Sequence, residues 1–431
     1  MPELPIALRR YLEVSRQPAG SAFHTSQVSI SFGEVVDGDA LKSAWETVAT
    51  AHDALRTTFA TDGSPVVATS PEFTWQAFDW QSAPPEDLGT EWQRLQQTDA
   101  AAPIATDAAP PCRITFIRLP NGGGHALWSF HGALLDQLSA SAALHQWLHA
   151  YDCLRSGAEA PQFEAIPAET SAGGDEWKDA FKDFVPPRPL IVLPLPESGT
   201  TGGTRRSVSH TFERPERTAF AMAATAMDAD LRSLFGAAWA FVIARATSSD
   251  DALLLENERM DGGIGRIENL VLRRRCVESV EMAGDLVRDF AKKIPGPTDL
   301  QAAAQVLGIT TQEIEPATAF FYRDHTLNDL LQLGMPRWMA ADTQLFQLTV
   351  PPITLRVIAT DRPEVALDYD PAFLSDTAAK LLFDLFLATL DAFAADAALI
   401  LHDYALPAPP AIVDGGEAPA TFRSLVPQCI H

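Results

Sequence analysis

The sequence predicts a mixed α/β (α+β) protein built from two lobes. At 431 residues the chain is longer than one hydrophobic core usually holds. Strand-like and helix-like segments follow each other in mixed order in both halves, which favours two layered lobes over a helix bundle or a barrel. Stretches rich in proline, glycine and small polar residues lie at 156–176 and 185–203. We therefore expect an N-terminal lobe over residues 1–176, a C-terminal lobe over 177–405 and a linker over 406–431.

The first elements follow from the spacing of apolar side chains. Residues 4–16 favour a short helix. Residues 26–35, SQVSISFGEV, alternate apolar and polar side chains, which is typical of a half-buried strand. Asp39 is placed to cap the next helix. The apolar face of that helix carries Leu41, Trp45, Val48, Ala51 and Leu55. Residues 60–111 are rich in Pro, Ala, Ser and Asp, and predict only short elements.

A hairpin and a helix meet in the middle of the first lobe. The strand-like stretches CRITFIRLP and HALWSFHG flank the turn sequence of residues 121–124, NGGG, which is a strong hairpin signal. After Asp136 the spacing becomes helical, with one apolar face formed by Leu144, Trp147, Leu148, Tyr151 and Leu154. The stretch from His131 to Asp136 therefore joins a strand to a helix, where a rigid scaffold commonly presents functional groups.

The second half repeats the mixture of strands and helices. Strands are predicted over 205–214, 251–258, 269–279 and 317–324, and helices over 227–248, 281–293 and 376–396. Between the last predicted strand and the last predicted helix, residues 346–370 resemble a hairpin.

Charge and cysteine content narrow the classes of partner. The chain carries 56 acidic and 32 basic residues, a net charge of −24, which disfavours nucleic acid and anionic membranes as partners. Its four cysteines form no CxxC motif, which fits free thiols in a reducing compartment. No stretch is long and apolar enough to span a bilayer, and no signal peptide is recognisable. We expect a soluble, cytoplasmic protein without a bound metal or cofactor.

Several separated segments resemble the condensation domains of nonribosomal peptide synthetases. Residues 40–59, ALKSAWETVATAHDALRTTF, end in the family's His-x-x-Leu-Arg-Thr-x-Phe pattern. Residues 130–139, FHGALLDQLS, fall where the family carries His-His-x-x-x-Asp-Gly-x-Ser. The stretches at 346–357 and 365–393 are similar to the family's closing strands and helix. The resemblance implies a chloramphenicol acetyltransferase-like fold, with two lobes in a V around a central tunnel.

The resemblance carries over to the motif residue by residue. His131 matches the first histidine, Asp136 the aspartate and Ser139 the serine, while Gln137 replaces the motif glycine. Gly132 stands at the position of the second histidine, which in the family lies beside the attacking amine as general base or positioning group. A register that puts His131 on this position leaves Asp136 one residue too far away. For His131 itself, a structural role and a relocated base both stay open.

The resemblance also implies an ion pair between the motif aspartate and an arginine of the other lobe. In NLVLRRRCV, Arg274 best matches that arginine, with Arg273 and Arg275 as one-residue alternatives. A second hypothesis is that the same three arginines form a docking patch for an acidic carrier protein.

Because glycine has no titratable group, the resemblance implies a domain that has lost its catalytic imidazole. We expect an N-terminal condensation-like domain that is defective in standard amide formation and serves as a structural and docking platform. The alternative is an active starter-type acyltransferase, which joins a donor acyl thioester to a carrier-bound aminoacyl amine through a non-standard site. The implied partners are carrier proteins with phosphopantetheine arms and an adjacent adenylation domain. The excised domain is expected to be a monomer.

Overall fold

The structure, a computed structural model, describes residues 12, 25–61, 63–69, 73–107, 111–163, 176–197, 205–259, 264–265, 268–277, 282–297, 300–316, 318–326, 344–346 and 352–404. The chain divides into two compact units. The first unit comprises residues 1–171, 258–269 and 325–350, and the second comprises 172–257, 270–324 and 351–431. Two segments from the second half of the sequence therefore belong to the first unit, so that the units are not contiguous stretches of chain. The expected linker lies outside the described residues, as does all of the expected first helix except Leu12.

The elements are numbered in chain order. The strands are β1 (Thr25–Phe32), β2 (Thr57–Phe59), β3 (Pro65–Val67), β4 (Thr74–Asp79), β5 (Cys112–Arg118), β6 (Gly124–His131), β7 (Arg206–Thr211), β8 (Asp251–Arg259), β9 (Glu268–Cys276), β10 (Thr318–Arg323), β11 (Gln344–Phe346), β12 (Ile353–Ile358) and β13 (Glu364–Tyr369). The α-helices are α1 (Gly38–Ala51), α2 (Pro85–Ala101), α3 (Gln137–Arg155), α4 (Trp177–Ala180), α5 (Arg214–Ala226), α6 (Leu231–Ala246), α7 (Ala283–Ala291), α8 (Leu300–Leu307), α9 (Thr311–Ile314) and α10 (Asp376–Ala395).

The first unit is built on a five-stranded sheet in the order β11-β1-β6-β5-β4. Strands β1, β5 and β6 pair antiparallel, and the predicted hairpin between β5 and β6 is confirmed. Alternate residues of these strands face a core that α1 and α3 complete. At the centre of this core, the ring centroid of Trp45 lies 5.0 Å from that of Trp128 and 5.1 Å from that of Trp147. The opposite face of the sheet carries the other alternate residues, and His131 ends that row on β6.

Helix α2 contradicts the prediction that residues 60–111 form only short elements. It has 17 residues, and none of them is buried. Polar contacts hold it on the sheet instead: Asp99 accepts hydrogen bonds from Gln27 Nε2 at 2.7 Å and from Arg113 Nε at 2.5 Å. Trp92 stacks on His125 with ring centroids 4.6 Å apart. Leu88, Trp92 and Leu95 follow each other at helical spacing, but they are only half-buried and the other residues are mostly polar, so the apolar stripe is short.

The second unit is built on a six-stranded sheet in the order β7-β13-β12-β10-β8-β9. Its core lies among the sheet, α6 and α10. Strands β12 and β13 form an antiparallel pair, as the hairpin-like sequence predicts. The first residue of that sequence, Phe346, instead belongs to β11, which pairs with β1 in the first unit. In the part of the chain that the structure describes, no helix is both long and apolar enough to cross a membrane.

Candidate functional site

The resemblance points to the turn between β6 and α3, residues 131–136, which we call the motif turn. Asp136 ends it as the N-cap of α3, and its Oδ1 accepts a hydrogen bond from Ser139 N at 2.7 Å. The carbonyl oxygen of Asp136 accepts from Ala140 N at 2.9 Å. The residue is 1% exposed, so this carboxylate is held inside the protein by the first turn of the helix. The prediction that the motif joins a strand to a helix is confirmed.

His131 is fully buried and is bonded within its own turn. Its Nδ1 accepts a hydrogen bond from Ala133 N at 3.1 Å, while its backbone N donates to Pro111 O at 2.8 Å. A neutral imidazole has one nitrogen that accepts and one that donates, so this bond assigns the ring proton to Nε2. The only lone pair of the neutral ring that can take up a proton therefore already faces Ala133 N. To act as a base, His131 must first give up this contact.

Gly132 lies between these two residues and is buried. It offers the turn a backbone amide and carbonyl but no side-chain acid or base. The position that aligns with the family's second histidine therefore contributes no proton-transfer group to this turn.

Ser139 contacts a segment that is distant in sequence. The residue is fully buried, and its Oγ accepts a hydrogen bond from Gly265 N at 3.2 Å, across 126 residues of sequence. Both residues belong to the first unit. The sequence predicted the position of Ser139 in the motif but contained no signal for this partner.

The three arginines on β9 are held within the second unit. Arg274 Nε donates to Asp251 Oδ2 at 2.7 Å, and its Nη1 donates to Lys182 O at 2.7 Å. Arg275 donates to both carboxylate oxygens of Glu256, at 2.8 and 2.9 Å. Arg273 and Arg275 are only 5% and 2% exposed, so the hypothesis that the three form a surface docking patch is wrong. The pair between Asp136 and Arg274 would join the two units and stays a prediction.

None of the described residues forms a group of three or more His, Cys, Asp or Glu side chains able to hold a metal ion.

Comparison with known proteins decides the family. A family model described as "Condensation domain" matches residues 7–254. The chain belongs to the condensation domain family. This condensation domain is 26% identical over 238 residues to one of the linear gramicidin synthase proteins of Brevibacillus parabrevis, a match that covers 51% of this chain and 3% of that protein. It is 24% identical over 346 residues to chondramide synthase cmdD from Chondromyces crocatus, a match that covers 76% of this chain and 8% of that protein. The chain thus spans a small part of the synthases that it matches.

Solved structures agree on the fold of this condensation domain. The starter condensation domain of rhizomide synthetase RzmA superposes with a TM-score of 0.69 at 14% identity, covering 94% of this chain and 99% of that one. The first condensation domain of the calcium-dependent antibiotic synthetase superposes with a TM-score of 0.64 at 17% identity, also covering 94% and 99%. The expected mixed α/β, chloramphenicol acetyltransferase-like fold is therefore confirmed, while the V arrangement and the tunnel stay predictions of the resemblance.

Proposed function

We propose that this condensation domain does not perform standard amide formation and serves as a cytoplasmic docking platform within a multidomain peptide synthetase. Its partners are the phosphopantetheine-bearing carrier proteins and an adjacent adenylation domain. The observation that carries the proposal is the motif turn. Gly132 provides no base, and the lone pair of His131 Nδ1 is engaged by Ala133 N at 3.1 Å. Neither residue offers a free imidazole nitrogen to an attacking amine.

The size of the expected defect follows from general acid–base chemistry. Removing a positioned base typically lowers a rate by about 10²–10⁴-fold. Holding a thioester and an amine together can by itself lower a barrier by roughly 7–11 kcal/mol. A carrier-fed reaction without a base is therefore slow rather than impossible, and the test needs a quantitative rate.

The test supplies the domain with an acyl donor and an aminoacyl acceptor and follows amide formation by mass spectrometry. C8-CoA and Leu-SNAC are a suitable first pair, since a variant of the starter condensation domain of rhizomide synthetase RzmA has been crystallised with both. We expect the wild type to form the amide only slowly, since proximity without a base still supports some reaction. Gly132→His restores the missing imidazole and is expected to raise the rate by about 10²–10⁴-fold. Gly132→Ala is the matched control, because it adds a side chain without an acid or base.

Wild-type product that persists in Gly132→Ala and disappears in His131→Ala would overturn the proposal. That result would mean that His131 exchanges its contact with Ala133 N for a contact with substrate. If neither Gly132→Ala nor His131→Ala forms the amide product, the motif turn tolerates no substitution. Folding of each variant is therefore checked by urea unfolding beforehand.

The second candidate function is an active starter-type acyltransferase. Two observations favour it: the likeness to starter condensation domains extends over 94% of the chain, and the burial of Asp136 and Ser139 keeps the motif turn formed. This candidate predicts wild-type product with at least one pair of a fatty acyl donor and an aminoacyl acceptor. Testing donors of several acyl chain lengths against several aminoacyl thioesters distinguishes an unsuitable substrate pair from an inactive site.

The docking role has its own measurement. We expect a phosphopantetheine-loaded carrier protein from the same synthetase to bind the wild type and Gly132→His with equal affinity by isothermal titration calorimetry. Absence of carrier binding by both proteins would reject the platform role while leaving the chemistry result intact.

A further inference from the structure

We infer that Ser139 is a positioning residue that fastens the connection between β8 and β9 to helix α3. We call the two described residues of this connection, Ile264 and Gly265, the crossing segment. The inference goes beyond the proposed function, because it holds whether or not the domain forms an amide bond. It explains why a chain with glycine at the catalytic position carries the motif serine.

The first anchor is a buried hydrogen bond. Ser139 is fully buried, and its backbone N is already engaged by Asp136 Oδ1 at 2.7 Å. Its orientation is therefore set by the cap of α3. The hydroxyl oxygen then accepts from Gly265 N at 3.2 Å. A buried amide that loses its acceptor must open to water to be satisfied, so Ser139 controls how often Gly265 N is exposed.

The second anchor is the residue just before Gly265. Ile264 is 5% exposed and packs in the core of the first unit, although β8 and β9 both belong to the sheet of the second unit. It is an isolated apolar side chain between Gly263 and Gly265 in the sequence DGGIGR. Burial of Ile264 in the apolar core and the hydrogen bond from Gly265 N to Ser139 Oγ therefore both anchor the crossing segment.

The anchors have a consequence for β9. This strand begins at Glu268, three residues after Gly265, and carries the arginines bonded to Asp251 and Glu256. The hydrogen bond to Gly265 N therefore ties the chain, shortly before β9 in sequence, to the helix that the motif aspartate caps. Ser139 acts through Gly265 and not through any reacting atom.

Hydrogen–deuterium exchange on the full chain tests this assignment. The readout is the amide of Gly265, localised by fragmentation of a peptide that covers residues 258–270. Ser139→Ala removes the acceptor, and a hydrogen bond of typical net strength corresponds to about five-fold faster exchange. Ser141→Ala is the matched control, because Ser141 lies on the same helix and is 6% exposed. Ser139→Thr keeps the hydroxyl and is expected to restore slow exchange.

Two outcomes would overturn the inference. Exchange at Gly265 that is unchanged in Ser139→Ala would show that the hydroxyl does not hold the segment. An equal acceleration in Ser141→Ala would show that any serine loss loosens α3 as a whole. If Ser139→Ala does not fold, Ile264→Val weakens the apolar anchor alone, and unchanged exchange at Gly265 in that variant also counts against the inference. Because the readout is exchange and not turnover, its failure leaves the condensation assay untouched.

Discussion

Substitution of Asp136 separates the observed role of its carboxylate, helix capping, from the predicted one, charge pairing with an arginine. Asp136 is 1% exposed and caps α3 through Ser139 N at 2.7 Å. Replacing an N-cap aspartate by alanine typically costs about 1 kcal/mol of unfolding free energy. Removing one member of a buried ion pair costs about 3–5 kcal/mol, since the partner charge is left buried. The two roles therefore differ by several kcal/mol.

Asparagine resolves the two roles, because it caps a helix about as well as aspartate but carries no charge. If Asp136 pairs with an arginine of the other unit, we expect Asp136→Ala to lose about 3–5 kcal/mol. Asp136→Asn keeps the cap and is then expected to lose about 2–4 kcal/mol. The assay is urea unfolding of the full chain, followed by circular dichroism and by tryptophan fluorescence, whose coincidence checks two-state behaviour.

The chain contains a matched cap for this comparison. Asp230 caps α6 with the same Asp-x-x-Ser spacing, its Oδ1 accepting from Ser233 N at 2.8 Å, but this residue is exposed. At Asp230 we expect alanine to cost about 1 kcal/mol and asparagine a few tenths. If Asp136→Asn is no more costly than Asp230→Asn, the carboxylate is a cap only and the ion-pair prediction is wrong.

A double-mutant cycle then identifies the partner. Arg274→Met also removes the hydrogen bond to Asp251, so its single effect is ambiguous. We expect coupling free energies of about 0.5–3 kcal/mol for both Asp136–Arg274 and Asp251–Arg274. Coupling of Asp136 to Arg273 or Arg275 but not to Arg274 would shift the pairing by one residue.

Three further predictions concern stability and reactivity. Gly236→Ala should lower the unfolding free energy by about 1–3 kcal/mol, because its Cβ would lie 2.2 Å from ring atoms of Phe290. Gly89→Ala, where no atom lies within 4 Å of the new Cβ, should raise the unfolding free energy by about 0.5–1 kcal/mol. If urea unfolding shows that both variants change this free energy in the same direction, the packing argument is refuted. Burial raises the pKa of the Cys112 thiol to about 12. The buried thiol therefore stays protonated at pH 8, and peptide mass spectrometry should find it unmodified by iodoacetamide until the protein unfolds. The hydroxyl of Thr25 is buried and has no hydrogen-bond partner among the described residues, so Thr25→Val should stabilise by about 1–3 kcal/mol, and a destabilised variant would contradict this.

Local patterns predicted most of the elements around the motif turn. The alternation in β1, the glycine turn between β5 and β6 and the helical face of α3 are short-range signals, and the structure confirms the strand, the turn and the helix. The half-burial predicted for β1 is wrong, because residues on both faces of this strand are buried. Helix α2 escaped prediction because its apolar stripe is short and only half-buried, and because hydrogen bonds to Asp99 help to hold it on the sheet. Strand β11 escaped because its pairing with β1 joins residues more than 300 positions apart in sequence.

For the candidate site too, some features follow from the sequence and others only from the tertiary structure. The sequence alone determined which side chains stand in the motif, including the absence of an acid or base at Gly132, because side-chain chemistry is written in the residue types. It also placed Asp136 just before a helix, whereas the cap predicted at Asp39 is wrong: Asp37 caps α1 and accepts hydrogen bonds from Asp39 N and Ala40 N. Only the tertiary structure decided that Ala133 N engages the lone pair of His131, that Gly265 bonds to Ser139, and that Arg274 bonds to Asp251. Each of these contacts depends on backbone placement or on residues distant in sequence, and no residue pattern encodes such a distance.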